Sequence, residues 1–157
     1  MHQEGFIFVS YSQIAVFDRA LERPFNEWTE KHVIQGFSWR PESVAFATVE
    51  EGGQHVVEVA IDFDQREPSR DVVRIIDVPF EVPNGGDIEI ASISDGLPLN
   101  MQPGSYQLRF EYCKPTEARP PKIRFQFKRD DKPVFAVVRT DADRVLAGSL
   151  ILTASPA

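Results

Sequence analysis

The side chains best suited to chemistry in this 157-residue chain are three histidines, one cysteine and a surplus of carboxylates. Their spacing argues against a catalytic centre. His2, His32 and His55 stand far apart, and Cys113 has no second cysteine to join them. A structural zinc site needs four such ligands in paired spacing, so neither a metal nor another cofactor is expected. No Gly-x-Ser-x-Gly, P-loop or Gly-x-Gly-x-x-Gly occurs. Cys113 closes a strand-like run after Phe110 and Tyr112, which predicts a buried, inert thiol and no disulfide. Asp62 and Asp64 form an Asp-x-Asp that could bind calcium in a sandwich loop. Alternate strand residues share a face, however, so a solvated strand end is the favoured reading. The remaining carboxylates are too many for any pair to stand out as acid and base, and an enzyme is not expected.

The carboxylates do define a lopsided charge. Residues 41–100 hold thirteen Asp and Glu against three Arg and no Lys, while residues 101–157 hold ten Lys and Arg against six acids, within a net charge of −7. An acidic field repels nucleic acid and attracts basic proteins, among them nucleic-acid enzymes. The plainer reading is that solvated strand faces carry the acids. If they meet a partner, the exposed candidates are Glu50, Glu51, Asp62, Asp64 and Glu67. Tyr11, Trp28 and Trp39 are candidate aromatic anchors, because Trp and Tyr are favoured where binding energy concentrates. Packing is the favoured role for Tyr11 and Trp28, which lie near an expected helix–sheet junction. Arg124 and Lys128 share one strand face and no dense Lys/Arg cluster occurs, so direct nucleic-acid binding is not expected.

The elements that must position these residues are mostly strands. Ile123, Phe125 and Phe127 alternate with Arg124, Gln126 and Lys128, and Tyr106, Leu108, Phe110 and Tyr112 alternate with polar neighbours. Similar rows run over 54–63 and 76–82, where Pro79 marks an edge or a bulge. Further strands are expected at 5–11, 13–18, 43–49, 87–93, 133–139 and 145–153. Glu51-Gly52-Gly53-Gln54 and Pro83-Asn84-Gly85-Gly86-Asp87 read as hairpin turns, Arg129-Asp130-Asp131-Lys132 as a short polar hairpin, and 114–121 as a longer exposed loop. One helix is expected over 26–36, capped by Asn26 and ended by Gly36, with Trp28 and His32 on one face. Its apolar side, with Val33 and Ile34 nearby, should pack on a sheet.

Length and composition, with 42% hydrophobic and 26% charged residues, predict one globular domain over 1–157. The class is all-β: a predominantly antiparallel β-sandwich with one short helix. The N-terminus has no basic leader and no apolar run approaches a membrane span, so a cytoplasmic location is expected.

The order of local signals resembles the competence protein J family. The likeness is carried by Ser10-Tyr11-Ser12-Gln13-Ile14-Ala15-Val16-Phe17, then by Trp28-Thr29 with Gly36-Phe37 behind it. It continues through Val78-Pro79-Phe80-Glu81-Val82 and Ile88-Glu89-Ile90-Ala91-Ser92 to Pro103-Gly104-Ser105-Tyr106-Gln107-Leu108, over residues 10–113 or so. Residues 114–157 are basic and match no motif. The resemblance implies a cytosolic nuclease inhibitor or immunity-type protein that binds a DNase. The alternative is a C2-like or carbohydrate-binding-like β-sandwich module that recognises lipid or glycan.

Overall fold

The computed structural model describes residues 2–62, 68, 70–141 and 149–157. The expected strand rows form two sheets that face each other. The first sheet contains β1 (His2–Val9), β5 (Gly53–Ile61), β6 (Val72–Val82), β9 (Gly104–Cys113), β10 (Lys122–Arg129) and β11 (Ala136–Arg139), in the order β1-β5-β10-β9-β6-β11. The second contains β2 (Gln13–Asp18), β3 (Phe37–Arg40), β4 (Ser43–Ala47), β7 (Asp87–Ala91) and β8 (Gly96–Asn100), in the order β3-β4-β2-β7-β8. Among the described residues every strand pairing is antiparallel except β5 with β10. One helix, α1 (Glu30–Gln35), precedes β3.

Side-chain alternation makes the core. Tyr106, Leu108, Phe110 and Tyr112 of β9 and Ile123, Phe125 and Phe127 of β10 point to the second sheet and are buried. Phe80 is buried with them. Phe46 of β4 stacks on Phe110 across the gap, with ring centres 4.6 Å apart. The second sheet is covered on its outer face too. There Ala15, Phe17, Ala45 and Ala91 pack under Leu21, Phe25 and Trp28, which explains why β2 and β4 read as near-continuous apolar runs.

Several local readings change once strands are assigned to sheets. The 51–54 turn joins β4 of the second sheet to β5 of the first, and the 83–87 turn joins β6 to β7 in the same way. Both are corners between sheets rather than hairpins. Gly53, at φ +102°, supplies the reversal that begins β5. Residues 129–132 likewise lead from β10 to β11, which pairs with β6 and not with β10. The 114–121 loop does join neighbouring antiparallel strands. Pro79 lies beyond the reach of β11, whose partners on β6 are Ile75, Ile76 and Asp77, so its missing N–H breaks no ladder bond on that side.

The helix is shorter than the pattern suggests, and Asn26 does not cap it. Thr29 is the cap: it accepts from His32 N–H, while its own N–H donates to His32 Nδ1 at 3.0 Å. Asn26 is buried instead, and its Nδ2 donates to the carbonyls of Ser38 and Ser43. Gly36 ends the helix at φ +90°, where a Cβ would lie 2.9 Å from Ile76. Strands β3 and β8 were not expected. Of the strand expected at 145–153, residues 145–148 lie outside the described residues and 149–153 form no ladder. Instead, Ile151 exchanges two hydrogen bonds with the Gln35 side chain.

No helix among the described residues is long and apolar enough to cross a membrane.

Candidate functional site

The acidic block and the basic C-terminal third meet within the first sheet. Asp77 of β6 lies opposite Arg109 of β9, and Glu58 of β5 opposite Arg124 of β10. Arg109 holds both oxygens of Asp77, at 2.8 and 2.9 Å. Glu58 is held by Lys122 at 2.6 Å and Arg124 at 3.0 Å. Burial pushes the Glu58 carboxyl up, but the two cations and their hydrogen bonds bring it below its usual value. Glu111, buried beside them, is raised by loss of solvent despite Arg124 and Arg109. Asp71 pairs with Arg119, and Asp62 with Arg129. Four of the thirteen acids of the block thus find cations of the basic third, so the charge separation along the sequence is cancelled in part across these strands.

The candidate site acids separate accordingly. Asp62 follows the last residue of β5, at φ +50°, and its carboxylate accepts from Arg129 N–H at 3.2 Å. Asp64 and Glu67 lie outside the described residues, and with Asp64 the Asp-x-Asp weighed as a calcium site or, in the favoured reading, a solvated strand end. Glu50 and Glu51 precede β5 at its other end. The nine residues of β5 put roughly 26 Å between this pair and Asp62. Neither Glu50 nor Glu51 is in an ion pair among the described residues.

The aromatic candidates divide as well. Trp39 is committed to packing: its Nε1 donates to Pro79 O at 2.8 Å and its ring meets Phe135 edge-on at 4.9 Å. Trp28 is half-buried over the Ala15–Phe17 cluster, as expected, and its Nε1 donates to Gln13 Oε1. Tyr11 departs from the packing expectation, being 76% exposed. The sequence shows no glycine there, yet Tyr11 and Ser12 adopt consecutive left-handed conformations, at φ 57° and 56°. The turn is pinned by Ser12 N–H to Glu51 O at 2.8 Å and Thr48 N–H to Ser12 O at 2.9 Å. Tyr11 thus stands beside Glu50 and Glu51. Behind it, Tyr11, Ser12, Gln13, Trp28, Val33 and Ala47 line a groove of about 260 Å³. Val33, expected on the packed side of the helix, is 58% exposed at this groove.

Under the 48–53 turn lies a buried polar chain that residue types alone did not reveal. Glu50 N–H donates to Tyr112 Oη at 3.1 Å, His55 Nε2 lies 2.9 Å from that oxygen, and His55 Nδ1 lies 2.9 Å from Gly53 O. A carbonyl only accepts, so Nδ1 carries the proton and Nε2 accepts from the tyrosine. Burial lowers the His55 pKa and pushes the Tyr112 hydroxyl up to about 12. His32 takes the opposite tautomer, because its Nδ1 accepts from Thr29 N–H and its Nε2 donates to Thr153 O. Both histidines serve the fold. Cys113 is buried and its thiol pKa is raised by desolvation, as an inert cysteine should be.

Among the described residues the architecture is that of an all-β protein of two facing sheets with one short helix, in which exposed Tyr11 stands at a turn beside Glu50 and Glu51. The chain belongs to the Competence protein J (ComJ) family, whose model matches residues 7–128, farther toward the C-terminus than the sequence motifs extend. The fold is similar to the crystal structure of ComJ, inhibitor of the DNA degrading activity of NucA, from Bacillus subtilis. That match has a TM-score of 0.71 and 18% identity, and covers 82% of this chain and 96% of that one. A more distant likeness is to the crocagin biosynthetic gene J product, at a TM-score of 0.52 and 14% identity, covering 83% and 97% of the two chains. No curated protein sequence matches the chain.

Proposed function

We propose that this protein is a cytoplasmic, stoichiometric inhibitor that binds a DNA-degrading nuclease and blocks it without turning over a substrate. Membership in the Competence protein J family carries this reading. The fold shared with an inhibitor of a nuclease's DNA-degrading activity supports it. So do the commitments of the reactive groups. His32 and His55 are held in fixed tautomers by backbone and tyrosine partners, and Cys113 is buried as a thiol. A nuclease must hold phosphate with cations, and an acidic protein of net charge −7 is drawn to such a cleft. Glu50, Glu51, Asp62, Asp64 and Glu67 are the acids proposed to steer the encounter.

Complex formation tests the reading. The protein is mixed with the NucA-type nuclease of its own host and run on a sizing column with mass detection. A complex with one copy of each chain is expected. Separate elution of the two at micromolar concentration contradicts the proposal.

A further inference from the structure

We infer that the Tyr11 turn and the groove behind it form the seat for a basic side chain, an arginine or lysine, presented by the partner protein. This rests on the inhibitor reading and names the surface through which inhibition acts.

The backbone is the first argument. Left-handed conformations are costly for residues with a Cβ, and two in succession persist only where the surroundings impose them. Here the 48–53 turn imposes them, through the Ser12–Glu51 and Thr48–Ser12 hydrogen bonds. The product of that strain is a tyrosine ring projecting into solvent, with no core contact in return. Glycine at this position would relax the turn. A tyrosine held there at a cost to stability has its use outside the fold.

The groove and its rim are the second argument. Trp28 spends its single donor on Gln13, so toward the groove its ring offers only apolar and π surface. Val33 adds a second exposed apolar wall. Several acids stand near this surface, and Arg74, which donates to Ala47 O, is already paired with Asp141. Glu51 is exposed and Glu50 half-buried beside the turn, exposed Glu27 and Glu30 flank Trp28 and Thr29, and Lys31 is the one cation of α1 apart from histidine. Aromatic walls with carboxylates at the rim select a long apolar stem that ends in a cation. A protein whose cleft holds DNA phosphates carries such side chains.

Three variants and one comparison test the seat. Tyr11→Gly should raise the melting temperature, because it relieves the backbone, yet weaken inhibition of the nuclease at least tenfold. Those opposite signs separate lost docking from lost folding. Glu50→Gln combined with Glu51→Gln should slow association and flatten its salt dependence. Glu81→Gln, on the exposed far end of β6, should leave both unchanged. Wild-type inhibition with Tyr11→Gly equally potent overturns the seat and leaves the inhibitor reading standing. If the wild-type protein itself neither binds nor inhibits the nuclease, the inhibitor reading fails and the seat falls with it.

Discussion

Arg109 grips Asp77 with two parallel hydrogen bonds across neighbouring strands, joining the basic third of the chain to its acidic middle. Both side chains are mostly shielded from water. Asp77→Asn should therefore cost about 1.5–3 kcal/mol in urea denaturation, the range for hydrogen bonds to charged groups. A loss under about 0.5 kcal/mol would mean that solvent compensates the arginine.

Phe46 and Phe110 are stacked at 4.6 Å between the sheets, in a region without exposed atoms. Phe110→Ala should destabilise the fold by about 3–5 kcal/mol, most of it from the cavity left behind. The check is a chemical denaturation midpoint with an unchanged slope.

Much of this core was legible in advance, because alternation is a local signal and each aromatic row lies within one strand. Phe80, Leu108, Phe110, Phe125 and Phe127 are all buried as the pattern required. What local signals do not encode is which sheet receives the next strand. Gly52-Gly53 and Asn84-Gly85 announce reversals correctly, yet the strands on either side belong to different sheets. The helix start was hidden for a similar reason. The usual signature places Glu or Gln three residues after a Ser or Thr cap, and here His32 fills that place. Tyr11 could not be read at all, since nothing in Ser10-Tyr11-Ser12 signals two left-handed residues. The acid count overstated the free negative surface, because Glu58, Asp62, Asp71 and Asp77 find cations that are distant in sequence.

The segment 149–157 lies beyond the family match but is tied to the helix. Gln35 exchanges bonds with Ile151, His32 donates to Thr153 O, and the Glu27 and Ala157 N–H groups bond to Ser155 and Phe25 carbonyls. Deleting residues 149–157 leaves the buried His32 and Gln35 side chains without these partners, at about 1–3 kcal/mol for each group left unsatisfied. The melting temperature should fall, and Trp28 fluorescence should shift to the red. An unchanged melting temperature would show the segment to be dispensable.

Stability should fall in mild acid because of His55. Its folded pKa lies below the ordinary 6.5, since burial disfavours the imidazolium. Below about 6.5 the unfolded chain takes up a proton that the folded chain refuses, so stability drops as pH falls toward the folded value. A protonated Nε2 would also turn a second donor on Tyr112 Oη, which already accepts from Glu50 N–H. Glu58 acts in the same direction at lower pH, because its folded pKa is depressed and its contribution is lost below about 4.5. Denaturation curves at pH 7.5, 6 and 5 check this. The His55→Gln variant should be less stable at pH 7.5 and show a flatter profile between 7.5 and 5.

The most direct measurement is DNA degradation by the host's NucA-type nuclease with this protein titrated in. Inhibition should be complete near one equivalent, weaken as salt rises, and leave no DNA-degrading activity from this protein alone. Undiminished degradation at a several-fold molar excess would contradict the account.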